Sequence, residues 1–281
     1  MLHIAVSQFG PRLGAVAQNA KRMAEIAERS KPDLILFPEL ALTGYDVRDR
    51  VHDLALSSTQ LPDLLELPDQ TTAVVGFIEA SESGIPYNSA AVIRDRQIQH
   101  VHRKVYLPTY GMFDEARYFG PGERIEIFSC SGYRLGILIC EDLWHPSLCY
   151  LHACQQVDAI LVMAAAPGRG IRRGNFTTAS PFTSMDVWLN IACTTARLYG
   201  IYVAVCNRVG VEGGVTFAGG SLVAGPNGDP LIVSASADEQ LLEAEIDRAE
   251  IIRARQPYAH LRDEDPRLVL RELQRIVASN A

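Results

Sequence analysis

The sequence predicts an α/β fold in which sheets pack against each other and helices cover their outer faces. Three observations predict it. Short apolar, β-prone runs recur along the 281 residues, and several are too continuously apolar to be strands with one wet face. Helical patterns separate some of these runs. Hairpin signals separate others, so crossovers and hairpins coexist in one chain.

The strand-like runs are I-A-V-S-Q-F (4–9), D-L-I-L-F-P (33–38), T-A-V-V-G-F-I (72–78), N-S-A-A-V-I (88–93), Y-R-L-G-I-L-I-C (133–140), A-I-L-V-M-A (159–164), I-Y-V-A-V-C-N (201–207), G-S-L-V-A-G (220–225) and Q-L-L-E-A-E-I (240–246). Residues 15–29 are rich in helix formers with apolar residues three and four apart. Segments 146–156 and 181–198 read the same way, with Pro146 and Pro181 at first-turn positions. Residues 247–255 make a further short helix. I-R-D-R-Q-I (93–98) turns at Asp95-Arg96, and G-P-N-G-D-P (225–230) is a second turn. No repeat, low-complexity stretch or linker divides the chain, so residues 1–281 are expected to form one domain. Its amphipathic tail, 261–281, packs on its own domain or docks on a neighbouring subunit.

Composition excludes several classes. A net charge of -7 and a pI near 5.5 argue against a nucleic-acid partner. The nearest approach to a basic patch is Arg169, Arg172 and Arg173, in a glycine-rich loop that reads as a solvated loop or a carboxylate clamp rather than a phosphate track. Met1-Leu2-His3 leads straight into a strand rather than a targeting signal. No apolar run approaches membrane-spanning length, so a cytoplasmic protein is expected. Thiols stay reduced there, and most of the six cysteines should be small buried hydrophobes.

Cys140 is the exception. In G-I-L-I-C-E-D-L-W (136–144) it ends a buried run just before a turn, where α/β folds expose reactive groups. A thiol needs a base or a cation to become a useful nucleophile, and the adjacent acids would oppose ionisation if they faced it. The base and the cation must therefore come from elsewhere. Glu39, in L-F-P-E-L-A-L-T-G-Y (36–45), stands at the same kind of strand edge. Lys104, in H-V-H-R-K-V-Y-L-P-T-Y-G (100–111), follows a strand, precedes a rigid Leu-Pro turn and can hold the oxygen of a tetrahedral intermediate.

P-E-L, then H-R-K-x-Y-L-P, then L-I-C-E-D-x-W, in this order, resembles the nitrilase or carbon–nitrogen hydrolase superfamily. The glutamine-hydrolysing domain of glutamine-dependent NAD synthetases is the most similar subgroup, through 104–122 and C-E-D-L-W. The resemblance implies a four-layer α-β-β-α sandwich, a homodimer, no cofactor, and a Glu39-Lys104-Cys140 triad that hydrolyses a small carboxamide through a thioester. It also implies a second glutamate, matched by Glu115 rather than Asp114. The backbone N–H of Glu141 joins Lys104 at the oxyanion, and Tyr110 and Phe113 line the pocket mouth. Asp142 is expected to hydrogen-bond the turn and to read the substrate's charged end, with Trp144 packed beneath.

Departures from the subgroup bear on substrate. Where it reads N-A-S-P or close to it, this chain has A-A-A-P (164–167) followed by G-R-G-I-R-R-G, leaving Arg169 and Arg172 to bind a substrate carboxylate. A nucleotide loop of the Ser-Gly-Gly type is absent, so NAD formation by this chain alone is not expected. The alternatives are a glutaminase subunit feeding a separate synthetase, a nitrile substrate, and a non-catalytic binding protein. His145, Cys149, His152 and Cys154 share a helical segment but lack paired C-x-x-C spacing, and read as structural residues rather than zinc ligands. No G-x-S-x-G marks a serine hydrolase.

Overall fold

The computed structural model describes residues 1–171, 182–234, 236–257 and 260–280. The first sheet comprises β1 (Leu2–Gln8), β2 (Leu34–Leu36), β3 (Thr72–Glu79), β4 (Tyr87–Arg94), β5 (Gln97–Arg103) and β14 (Gln240–Ile246), in the order β14-β1-β2-β3-β4-β5. The second comprises β6 (Ile127–Cys130), β7 (Tyr133–Ile139), β8 (Ala159–Ala164), β9 (Tyr202–Asn207), β12 (Leu222–Ala224) and β13 (Pro230–Val233), in the order β13-β12-β9-β8-β7-β6. A hairpin of β10 (Val209–Glu212) and β11 (Val215–Ala218) stands apart.

Alternation along the strands sorts side chains into layers. Ile4, Val6, Leu36, Val74 and Val92 face inward and pack with Ile137, Leu161, Val203 and Val205 of the second sheet. Ala5, Ile35, Ala73, Val75 and Ala91 face outward, against Ala20, Met23 and Ala27 of the helix Val16–Ser30. The second sheet is covered by Leu148 and Cys149 of the helix Pro146–Cys154 and by Trp188, Ala192 and Ala196 of the helix Ser184–Tyr199. The result is the four-layer α-β-β-α sandwich.

The nine apolar runs all become strands, with ends moved by one or two residues. Pro146 opens its helix as expected, whereas Pro181 lies outside the described residues. Asp95 and Arg96 both take positive φ in the β4–β5 turn, the requirement of a tight hairpin. β6 and the β10–β11 hairpin were not foreseen, whereas β5 is the strand expected between the Asp95-Arg96 turn and Lys104. β5 is an edge strand of polar composition, Q-I-Q-H-V-H-R, which lacks the apolar continuity that marks the interior strands. The tail forms the helix Pro266–Asn280, whose Leu268, Leu270, Leu273, Ile276 and Val277 are exposed.

Direction decides where the site forms. β1, β2 and β3 are parallel, and two antiparallel steps through β4 return β5 to the same direction. The carboxyl ends of β2 and β5 thus lie at one edge of the first sheet. β7, β8 and β9 are parallel in the second sheet, so the carboxyl ends of β7 and β8 share an edge too. Gly76 of β3 lets the chain after β2 approach. A Cβ there would lie 2.5 Å from Leu40 N and 2.6 Å from Pro38 O, on both sides of Glu39. Gly76→Ala is expected to destabilise the fold by about 1–3 kcal/mol in urea unfolding. It should also displace Glu39, so activity should fall further than the lost stability explains.

Candidate active site

Three strand ends deliver the charged groups. Glu39 follows β2 and is fully buried, and the next residue, Leu40, turns the chain with φ 49°. Lys104 follows β5 and is also fully buried. Its ammonium donates to Glu39 Oε1 at 2.7 Å and to Glu115 Oε1 at 2.8 Å. Cys140 follows β7 with φ 51° and is 5% exposed. A non-glycine residue in that region stores on the order of 1 kcal/mol of strain, typical of a residue held for function.

The electrostatics follow from burial and charge. Burial works to discharge Lys104, but Glu115 and Glu39 outweigh it and hold its pKa well above the ordinary value. Burial also raises the Cys140 thiol well above its usual range, and Glu39 adds to that. Lys104 acts in the opposite sense. Burial pushes the Glu115 carboxyl up to about 7 against the pull of Lys104, with Glu39 repelling the same charge. At rest the site is therefore a protonated thiol beside an ammonium shared by two carboxyl groups.

A second ring of residues fixes these groups, and sequence reasoning missed it. Asn88 at the start of β4 donates to Glu39 Oε1 at 2.8 Å, and the N–H of Ala165 after β8 donates to Glu39 Oε2 at 2.9 Å. The Tyr45 hydroxyl donates to Glu115 Oε1. The N–H groups of Tyr45 and Asp46 donate to Glu212 Oε2, and Glu212 is paired with the buried Arg208, which lies over the Phe217 ring. Polar residues inside otherwise apolar stretches, Asn88 and Asn207-Arg208, were the available signal, because burying them demands partners.

The mouth gathers most of the remaining expected residues. Tyr110 and Phe113 meet edge to face at 5.6 Å, and the Arg169 guanidinium stands 5.9 Å from the Phe113 ring. Tyr110 donates to Glu141 at 2.7 Å. Burial and that bond push its hydroxyl up to about 12. The Glu141 side chain thus faces Tyr110, away from the thiol. Arg172 lies outside the described residues. Ala164, Ala165 and Ala166 are buried and carry no polar side chain, and the N–H groups of Ala165 and Ala166 are already taken by Glu39 and by Asn207 Oδ1.

Two expectations need correction. Asp142 holds the turn, but its carboxylate is turned to backbone donors and has no exposed surface with which to read a charged end. It is fully buried, and its carboxylate accepts from the N–H groups of Val105, Tyr106 and Ile139 at 3.1, 2.9 and 3.0 Å. Trp144 does not lie beneath the turn; it is 42% exposed, set edge-on to Trp188 at 5.7 Å. His145 stacks on Tyr106, His152 Nε2 lies 3.2 Å from the carbonyl of Ile137, and no three His, Cys, Asp or Glu among the described residues converge as a metal site. A cleft of about 920 Å³ beside Arg197, Tyr202 and His260 is not lined by any of these site residues.

Comparison with known proteins identifies relatives of the chain. Residues 3–256 match the carbon–nitrogen hydrolase family model. The chain is 32% identical over 249 residues to the glutamine-dependent NAD(+) synthetase of Acinetobacter baylyi, covering 87% of this chain and 44% of that one. The solved glutamine-dependent NAD+ synthetase of Acinetobacter baumannii superposes with a TM-score of 0.79 at 30% identity, over 89% of this chain and 46% of the other. A carbon–nitrogen hydrolase from Helicobacter pylori G27 superposes with a TM-score of 0.80 at 25% identity, covering 94% and 95% of the two chains. The chain thus spans under half the length of the synthetases it resembles.

The raised Glu115 pKa sets a stability expectation. The folded chain holds that proton up to about 7, whereas an unperturbed carboxyl releases it near 4.5. The group therefore favours folding most below the lower value, and that contribution is lost as pH rises through the higher one. The amount at stake is on the order of 3 kcal/mol. Glu115→Gln is expected to flatten the decline of unfolding free energy between roughly pH 5 and pH 7. An unchanged slope would mean that the carboxyl is ionised throughout.

Proposed function

Because the chain belongs to the carbon–nitrogen hydrolase family, and is an enzyme of that class, we propose that it hydrolyses a small carboxamide to a carboxylic acid and ammonia through a thioester on Cys140. The observation that carries the reading is the Lys104 ammonium held between Glu39 and Glu115 in the field of the Cys140 thiol.

In this reading Glu39 takes the thiol proton as the sulfur attacks the amide carbon. The raised thiol pKa couples proton transfer to attack, because a free buried thiolate is unfavourable. Lys104 and the Glu141 N–H hold the oxyanion. Glu39 then gives its proton to the leaving nitrogen, and ammonia departs. Water, deprotonated by Glu39, breaks the thioester and releases the acid. Glu115 keeps Lys104 charged and in place. The apolar floor at Ala164–Ala166 and the guanidinium at the mouth support an ω-amide that carries a carboxylate, glutamine-like in outline, with its charged end toward Arg169. The whole chain would act as one catalytic unit.

The names and lengths of the relatives support a second reading, in which this unit supplies ammonia to a separate synthetase. The exposed apolar stripe at Leu270, Leu273 and Val277 supports self-association as a homodimer or larger assembly, with the tail helix docked on a neighbouring copy. Among the described residues no helix is long and apolar enough to cross a membrane.

Ammonia release should be measured with glutamine, asparagine, ω-amidated keto acids, N-carbamoyl amines and simple aliphatic amides. At least one is expected to turn over, and Cys140→Ala should lower the rate by about 1,000-fold or more. Turnover retained in Cys140→Ala would sink the mechanism. Glutamine turnover that rises only with an added synthetase would favour the second reading. In sedimentation, Leu273→Glu is expected to shift the assembly toward smaller species; an unchanged distribution would remove the tail from the interface.

A further inference from the structure

Asp142 has no exposed surface, yet it joins the two strand ends on which the chemistry depends. Its Oδ1 accepts from the N–H groups of Val105 and Tyr106, directly after Lys104. Its Oδ2 accepts from the N–H of Ile139, directly before Cys140. A fully buried carboxylate is unfavourable unless its lone pairs are filled, and here backbone donors from two separate segments fill them. His102 Nε2 stands 3.7 Å from Oδ2, beyond hydrogen-bond length, and itself makes no hydrogen bond.

We propose that Asp142 is a positioning residue that clamps the Lys104 strand end to the Cys140 turn and so sets the distance between ammonium and thiol. The proposal rests on the reading of Cys140 as nucleophile and goes beyond it. The φ of 51° at Cys140 is strained and needs its neighbours to over-determine it. Lys104 belongs to the first sheet and Cys140 to the second, and in neither segment does sequence proximity fix their separation. One carboxylate with acceptors on both oxygens does. An amide at this position presents N–H₂ to one of the two segments, donor against donor, and releases it.

The test compares Asp142→Asn with Asp158→Asn. Asp158 is a nearly buried carboxylate beside the other end of β7, accepting from Arg134 N at 2.8 Å and paired with Arg248 at 2.8 Å. It serves as a control for lost stability at a distance from the thiol. Alkylation of Cys140 by chloroacetamide is followed by intact mass across pH. The groups facing the thiol are Glu39, Lys104, Glu115, Tyr45 and Tyr110, and those facing Asp142 are His102, His152 and Cys149.

Asp142→Asn is expected to shift the alkylation profile to higher pH, because the ammonium that favours the thiolate has receded. Its kcat on the best amide should fall about 100-fold with KM changed less than about threefold. Asp158→Asn should lower Tm without either change. A superimposable alkylation profile in Asp142→Asn, or losses in both variants that track Tm alone, would overturn the clamp. Should Asp142→Asn fail to fold, hydrogen exchange on the wild-type protein decides. The amides of Val105, Tyr106 and Ile139 are expected among the slow exchangers, and fast exchange there overturns the proposal. If no amide is hydrolysed by the wild type, the reaction reading fails while the alkylation comparison still tests the clamp.

Discussion

The structure depends on one buried ammonium. Lys104 has no exposure to water and two carboxyl partners at hydrogen-bond length. Desolvating such a cation costs several kcal/mol, which a single exposed pair would not return. Two buried carboxyl groups do return it, but they then repel each other, and burial raises the Glu115 carboxyl as a consequence. The ring around them follows from the same constraint. Asn88, the N–H of Ala165 and the Tyr45 hydroxyl supply donors to oxygens that water does not reach. Removing one donor leaves a buried carboxylate oxygen unfilled, and removing one acid leaves Lys104 with a single partner.

Sheet topology supplies the other half. Parallel strands in both sheets end at one rim, so β2, β5, β7 and β8 each deliver a group to the same place. The chain takes left-handed conformations at Cys140, directly beyond β7, and at Leu40, four residues beyond β2, which turns the adjacent segments sharply. Gly76 and the small residues Ala164–Ala166 leave the room that this convergence needs.

Much of this was legible in the sequence because it is carried by strong local patterns. Continuous apolar runs announced the interior strands, and a thiol, an acid and a lysine at the ends of such patterns announced the rim. β6 and the β10–β11 hairpin were not legible, since strands of four residues, I-F-S-C, V-G-V-E and V-T-F-A, are too short to display an apolar run. Asp142 was misread because its neighbour Glu141 does face the mouth and a charge beside a nucleophile invites the same reading. The sequence carries no sign that three backbone donors from two segments fill its oxygens. Tyr45, Arg208 and Glu212 were missed for a related reason: their roles depend on contacts between segments far apart in the chain, such as the 167-residue separation between Tyr45 N and Glu212.

The division of the site between two sheets bears on how the protein folds. Glu39, Lys104 and Asn88 come from the first sheet, and the thiol and the Ala165 N–H from the second. The bond from Ala165 to Glu39 spans 126 positions. A chain with only its first half in order would carry the ammonium and its acids without the thiol. Loop closure over such separations is entropically costly and late, as in other folds rich in non-local pairing. Activity in this molecule is therefore a gauge of sheet docking. It should recover with the last, global phase of refolding rather than with secondary structure, and a half-folded or truncated chain gains no partial chemistry from being partly native.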